Sequence, residues 1–153
     1  MTDDAAVALL LVRRVPAARR PLAEALAGPD LPCAPGSHLR SAHGQWWEVV
    51  EAAADIGSAP LAVAFVCTST SGTRAEICAV TVPERNIAGL LVAEVIAASR
   101  RDGVENMVAC SSDRITVDAL VLAGFAAAVT PRRKPCCSNV AQDGAAACWV
   151  LQL

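Results

Sequence analysis

Apolar and polar positions fall into short blocks along this chain, and each block carries its own period. Ala5 to Val15 is aliphatic and β-branched and stops at Pro16, the pattern of a strand buried on both faces. Pro16 to Ala27 places Leu22 and Leu26 among arginines and Glu24, which predicts a short helix closed by Gly28-Pro29. Asp30 to Gly44, rich in Pro, Gly, Ser and His, predicts an irregular loop. From Gln45 to Ile56, Trp46, Val49, Val50 and Ala53 recur at helical spacing with Glu48, Glu51 and Asp55 opposite them, so a helix ending at Gly57 is predicted.

Leu61 to Cys67 and Arg74 to Val82 read as two strands, and the Ser/Thr/Gly stretch Thr68 to Thr73 suits a hairpin between them. A helix from about Ala88 to Arg101 would bury Leu91, Val92, Val95 and Ile96, expose Glu94 and Arg101, and stop at Gly103. Val104 to Cys110 reads as a strand and Ser111 to Ala123 as a helix, with Ser112 or Asp113 as its N-cap, followed by Gly124-Phe125. Ala126 to Thr130 and Ala147 to Gln152 are the last strands, separated by a polar excursion from Pro131 to Gly144. With no repeat and no interdomain linker, residues 1–153 read as one domain.

Composition narrows the function. The apolar fraction is 54% but aromatics are only 3%, so the core is built from small and aliphatic side chains. A net charge of -2 gives no electrostatic case for nucleic acid or another polyanion. Asp3 and Asp4 precede the first apolar run and Arg13-Arg14 follow it, the reverse of a secretory signal's charge order. No apolar run approaches the roughly 18–20 residues of a membrane-spanning helix, so a soluble cytoplasmic protein is expected. Seven cysteines, an odd number without regular spacing, argue against a disulfide framework.

The stretch from Ala75 to Phe125 has an order that few folds use. It comprises Ala75-Glu-Ile-Cys-Ala-Val-Thr-Val-Pro83, a turn from Glu84 to Gly89, a helix from Leu90 to Arg101, Asp102-Gly103, a strand, a helix and Gly124-Phe125. In this it resembles the GNAT superfamily of acyl-CoA N-acyltransferases, and the element order agrees along essentially the whole chain. The resemblance implies an α/β (α+β) fold: a mixed, mostly antiparallel central sheet with a splayed parallel strand pair and helices on both faces. It also implies acetyl-CoA or another acyl-CoA as cofactor, and a primary amine of a small molecule or peptide as acceptor by direct transfer. Homodimers are common among such proteins.

A pyrophosphate needs several main-chain N–H groups converging at a helix N-terminus, with glycines permitting close approach. The family pattern Q/R-x-x-G-x-G/A fits here in neither of two frames. Starting at Arg85 puts Ala88 and Leu90 at the glycine positions, whereas starting at Asn86 keeps Gly89 and puts Leu91 last. The functional reading is an anion cradle made by the main-chain N–H groups of Asn86 to Leu90, with Arg85 supplying charge; the plain reading is an ordinary strand-to-helix connection in which Gly89 relieves crowding. The resemblance places the acyl-pantetheine beside Ala79 to Val82, with main-chain groups near Val80 and Val82 polarising the thioester. It implies Glu76 as general base; the plain alternative is a strand-end carboxylate in solvent or paired to Arg74 or another arginine. The family's tyrosine acid falls at Leu120, and the chain contains no tyrosine. Cys110 and Ser111 stand where a substitute donor could lie, although Cys110 equally suits a buried small hydrophobe. His38, His43, Trp46 and Trp47 are candidates for the acceptor pocket, against packing tryptophans and solvated histidines. Cys33-x4-His38-x4-His43 lacks an evident fourth ligand, so no metal is assigned. Cys136, Cys137 and Cys148 could be redox active, and Arg132, Arg133 and Lys134 read as a solvated hairpin or a contact to an acidic group. The alternative to an enzyme is a degenerate GNAT-like domain acting as a binding or regulatory partner.

Overall fold

The computed structural model describes residues 9–28, 43–82, 84–111, 113–127 and 147–153. Strand β1 (Leu10–Arg14) leads through a 3-10 turn (Ala17–Arg19) into α1 (Arg20–Ala27). There follow β2 (His43–Glu51), β3 (Ala62–Thr68), β4 (Arg74–Thr81), α2 (Arg85–Arg101), β5 (Asn106–Ser111), α3 (Arg114–Leu122), β6 (Ala126–Ala127) and β7 (Ala147–Gln152). These strands form one sheet in the order β1-β2-β3-β4-β5-β7-β6. Neighbours are antiparallel except β4 and β5, whose connection is the long helix α2, the crossover that a parallel pair requires. Helices cover both faces. Leu91, Val92 and Val95 of α2 and Ala119 and Leu120 of α3 pack with Ala75, Ile77, Met107 and Ala109 on one face. Ala23 of α1, with Leu26, packs with Trp46, Phe65, Cys67 and Cys78 on the other.

Helix ends follow local chemistry. Gly28 and Gly103, at φ 83° and 86°, adopt the left-handed backbone that ends α1 and turns the chain after α2. Asp113 caps α3 by accepting from the Thr116 N–H at 2.9 Å. Among the described residues no helix is long and apolar enough to cross a membrane.

Three expectations are corrected. The segment from Gln45 onward is a strand, not a helix: β2 lies inside the sheet between β1 and β3 and is covered on both faces. Trp46, Trp47, Glu48, Val49 and Val50 are consecutive and all buried. Such a run satisfies a helical and a strand template alike, and its aromatic and β-branched content decides for the strand. Second, β1 is not buried on both faces: it pairs among the described residues only with β2, and Leu11 is exposed. Third, the turn after β4 is shorter than expected. Helix α2 begins at Arg85 rather than near Ala88.

The strand assignment of β2 changes the role of Glu48. Its carboxylate is fully buried and meets Arg19, 2% exposed, whose Nε donates to Oε1 at 2.9 Å and whose Nη2 donates to Oε2 at 3.0 Å. Arg13, its register partner on β1, adds a bond from Nε at 2.9 Å. Arg19 also donates to the carbonyls of Ile56 and, at 2.9 Å, Ser58. One arginine thus ties the start of α1 to β2 and to the chain that leads into β3. On the same face of β2, the Phe65 ring packs tilted against Trp46, with centroids 4.9 Å apart and planes at 49°, and covers Gly44, where any Cβ would run into Cζ.

Candidate functional site

The sheet parts between β4 and β5. Their ladder runs from Arg74↔Asn106 to Ile77↔Ala109, yet β4 continues to Thr81 and β5 to Ser111. The cause lies on the other edge of β4. Phe65 pairs with Ala79 and Val66 with Ile77, so Cys78 is an extra residue on β4. A bulge of this kind bends and twists its strand, and it sits where β4 leaves β5. No sequence pattern marked Cys78, because a bulge exists only relative to a partner strand.

Helix α2 follows directly at the far end of β4. The Ala88 N–H already donates to the Glu84 carbonyl at 3.1 Å. By helix geometry the amides of Gly89 and Leu90 are likewise committed to the helix, so the uncommitted amides at this end are those of Arg85, Asn86 and Ile87. Glu84 is the N-cap and makes no side-chain cap bond. The cradle expected at Asn86 to Leu90 is thus moved toward the strand, onto the amides of Arg85, Asn86 and Ile87. Val80 and Val82 pack against the α2-side core. A Cβ at Gly89 would meet nothing within 4 Å, so no protein neighbour requires glycine there. Leu90 turns outward, 46% exposed. Arg85 is bound to Asp118 of α3 at 2.8 Å, with both groups open to solvent. No local pattern marks this partner, which comes from a separate helix.

On the opposite face, Glu76 sits in the last laddered turn of β4, opposite Cys67 on β3 and Val108 on β5. Its side chain is 13% exposed and lies 3.5 Å from the Arg74 guanidinium, so the predicted pairing with Arg74 is present. Glu76 precedes the bulge residue by two positions, and the Cys78 thiol donates toward the Glu76 carbonyl at 3.7 Å. At the end of β5 the Ser111 hydroxyl oxygen accepts the Asp113 N–H at 3.1 Å. Cys110 holds the preceding strand position, opposite Cys148.

The two tryptophans separate. Trp46 belongs to the α1-side cluster and Trp47 to the α2-side cluster, where Arg14 lies 5.4 Å above its ring. Consecutive strand residues point to opposite faces, so they cannot line one pocket together. His43 begins β2 rather than ending a loop. His38, Cys33, Arg132, Arg133, Lys134, Cys136 and Cys137 lie outside the described residues.

Solved structures share this architecture. N-acetylglutamate synthase from Neisseria gonorrhoeae, complexed with coenzyme A and N-acetyl-glutamate, matches 95% of the chain at 18% identity with a TM-score of 0.60; the chain spans only 35% of that protein. The GNAT domain of S. lividans PAT matches 93% of the chain and 89% of its own length at 12% identity, with a TM-score of 0.58. Rv2747 from Mycobacterium tuberculosis, in complex with CoA and NLQ, matches 94% of the chain and 99% of its own length at 12% identity, with a TM-score of 0.63. No family model matches the chain, and no curated protein matches it in sequence. At these identities the likeness establishes the fold alone, the one that the GNAT domain of S. lividans PAT has.

Proposed function

We propose that this chain is an acyl-CoA-dependent N-acyltransferase that moves an acetyl group directly to a primary amine of a small molecule or peptide. The observation that carries the reading is the parting of β4 and β5 beyond Ile77 and Ala109, immediately beside the N-terminus of α2. Two of the structural neighbours contain coenzyme A. The residues present fit such a group. Uncommitted amides of Arg85, Asn86 and Ile87 suit phosphate oxygens, the α2 dipole favours negative charge there, and space stands open at Gly89.

When bound, acetyl-CoA supplies a thioester carbonyl open to attack by an amine. The chain's own work is positioning. Main-chain groups of β4 between Ala79 and Val82 line the gap and orient the carbonyl. Glu76, on the face away from α2, removes the proton from an amine approaching on that side. Ser111 supplies a proton at the β5 end, in the role that no tyrosine can fill here. Arg85 exchanges its contact with Asp118 for a phosphate.

Acetyl-CoA at about 100 times its dissociation constant should stabilise the protein by about 2.7 kcal/mol, seen as a Tm rise of about 5–10 °C. No rise at millimolar concentration would overturn the enzyme reading and favour a fold retained as a binding or regulatory partner. Gly89→Ala refines the assignment. Without ligand it should stabilise α2 by about 0.5–1 kcal/mol, since Gly89 is a helix-interior residue with open space at its Cβ. With acetyl-CoA the rise should shrink, because the methyl group enters the space assigned to phosphate; an undiminished rise places the phosphates elsewhere.

A further inference from the structure

Strands β5 and β7 are antiparallel, and their register sets Cys110 directly opposite Cys148. The class of that pair follows from the hydrogen bonds. Beyond the end of β7, the Leu153 N–H donates to the Glu105 carbonyl at 2.8 Å, and these two residues continue the same register. Opposed residues bonded in this way form a hydrogen-bonded pair, and the two classes of pair alternate along an antiparallel ladder. Counting from Glu105, Asn106↔Gln152, Val108↔Val150 and Cys110↔Cys148 are the non-hydrogen-bonded pairs. In such pairs the Cα atoms stand about 4.5 Å apart and the side chains are at their closest. A disulfide spans Cα separations of about 4.4–6.8 Å, so no backbone movement is needed to form one here.

Position adds a second argument. Ala109 makes the last β4–β5 pair, so Cys110 is the first β5 residue past the ladder, at the wall of the gap. Cys148 is partly exposed on a strand bounded by β5 and the short β6. An oxidant in solution can therefore reach one member of the pair.

We propose that Cys110 and Cys148 form a thiol–disulfide couple, oxidised by a low-molecular-weight disulfide such as oxidised glutathione. The Cys148 thiolate attacks one sulfur of the small disulfide, forming a mixed disulfide and releasing one small thiolate. The Cys110 thiolate then attacks the Cys148 sulfur and releases the second. Two protein thiols and one small disulfide become one protein disulfide and two small thiols. The small disulfide is the species reduced. This is a single reversible pair rather than a structural framework. It does not depend on the acyltransferase reading.

The test uses the full chain carrying Cys136→Ser and Cys137→Ser, so that the tryptic peptide 134–153 retains Cys148 as its one cysteine. After incubation with oxidised glutathione and alkylation, that peptide should be recovered joined to peptide 102–114, two hydrogens lighter than the sum of the reduced pair. The oxidised protein should gain about 5–15 °C in Tm, a gain lost in Cys110→Ser. A glutathione adduct on Cys148 with no link to Cys110 would overturn the proposal, as would a link that forms only in urea.

Discussion

Glu48→Ala should lower stability by about 3–5 kcal/mol, a large fraction of what a domain this size possesses. The cost comes from what is left behind. Arg19, 2% exposed, would keep its charge in the interior while losing the carboxylate that takes two of its nitrogens. Arg13 would lose its partner as well, but it is partly exposed and can turn to water. Removing both buried charges should be far less damaging. Arg19→Met with Glu48→Leu restores an apolar fill, and such replacements are often neutral. The expected pattern in urea unfolding is therefore a severe single variant and a mild double variant. A Glu48→Ala protein within about 1 kcal/mol of the parent would show that water already reaches this network. Arg19→Lys discriminates further, since an ammonium cannot serve Glu48, Ile56 and Ser58 with a fixed planar fork.

That network also shows why part of the fold was illegible in the chain. Strands at Ala62–Thr68, Arg74–Thr81, Asn106–Ser111 and Ala147–Gln152 and the helix through Leu91 and Val95 follow from short-range period, and the structure has them. The run Trp46-Trp-Glu-Val-Val50 does not announce its state. Glu48 marks a polar face in a helix and a buried ion pair in a strand, and its partners Arg13 and Arg19 are about 30 residues away in sequence. The site divides along the same line. Glu76, Arg85 and Asn86 are readable because they lie within one strand–turn–helix, whereas the bulge at Cys78, the Asp118 contact and the pairing of Cys110 with Cys148 need a second strand or helix. Likewise, the separation of Trp46 from Trp47 follows only once β2 is known to be a strand.

Glu76→Gln should lower kcat/KM for amine acetylation by about 10²–10⁴-fold while leaving the acetyl-CoA stabilisation intact. Glutamine keeps the volume and an acceptor oxygen but takes no proton from an amine. Because Glu76 lies on the face opposite α2 and two residues before the bulge, the substitution is separated from the amides of Arg85, Asn86 and Ile87. A lost proton acceptor and a damaged binding site therefore give different results. The pairing with Arg74 at 3.5 Å offers the competing, structural role, under which Arg74→Ala and Glu76→Gln would produce equal and modest effects on stability and none on turnover. Turnover that survives Glu76→Gln unchanged would remove Glu76 from the chemistry. The acceptor's proton would then have to leave to water or to a group outside β4, with the gap acting by alignment alone.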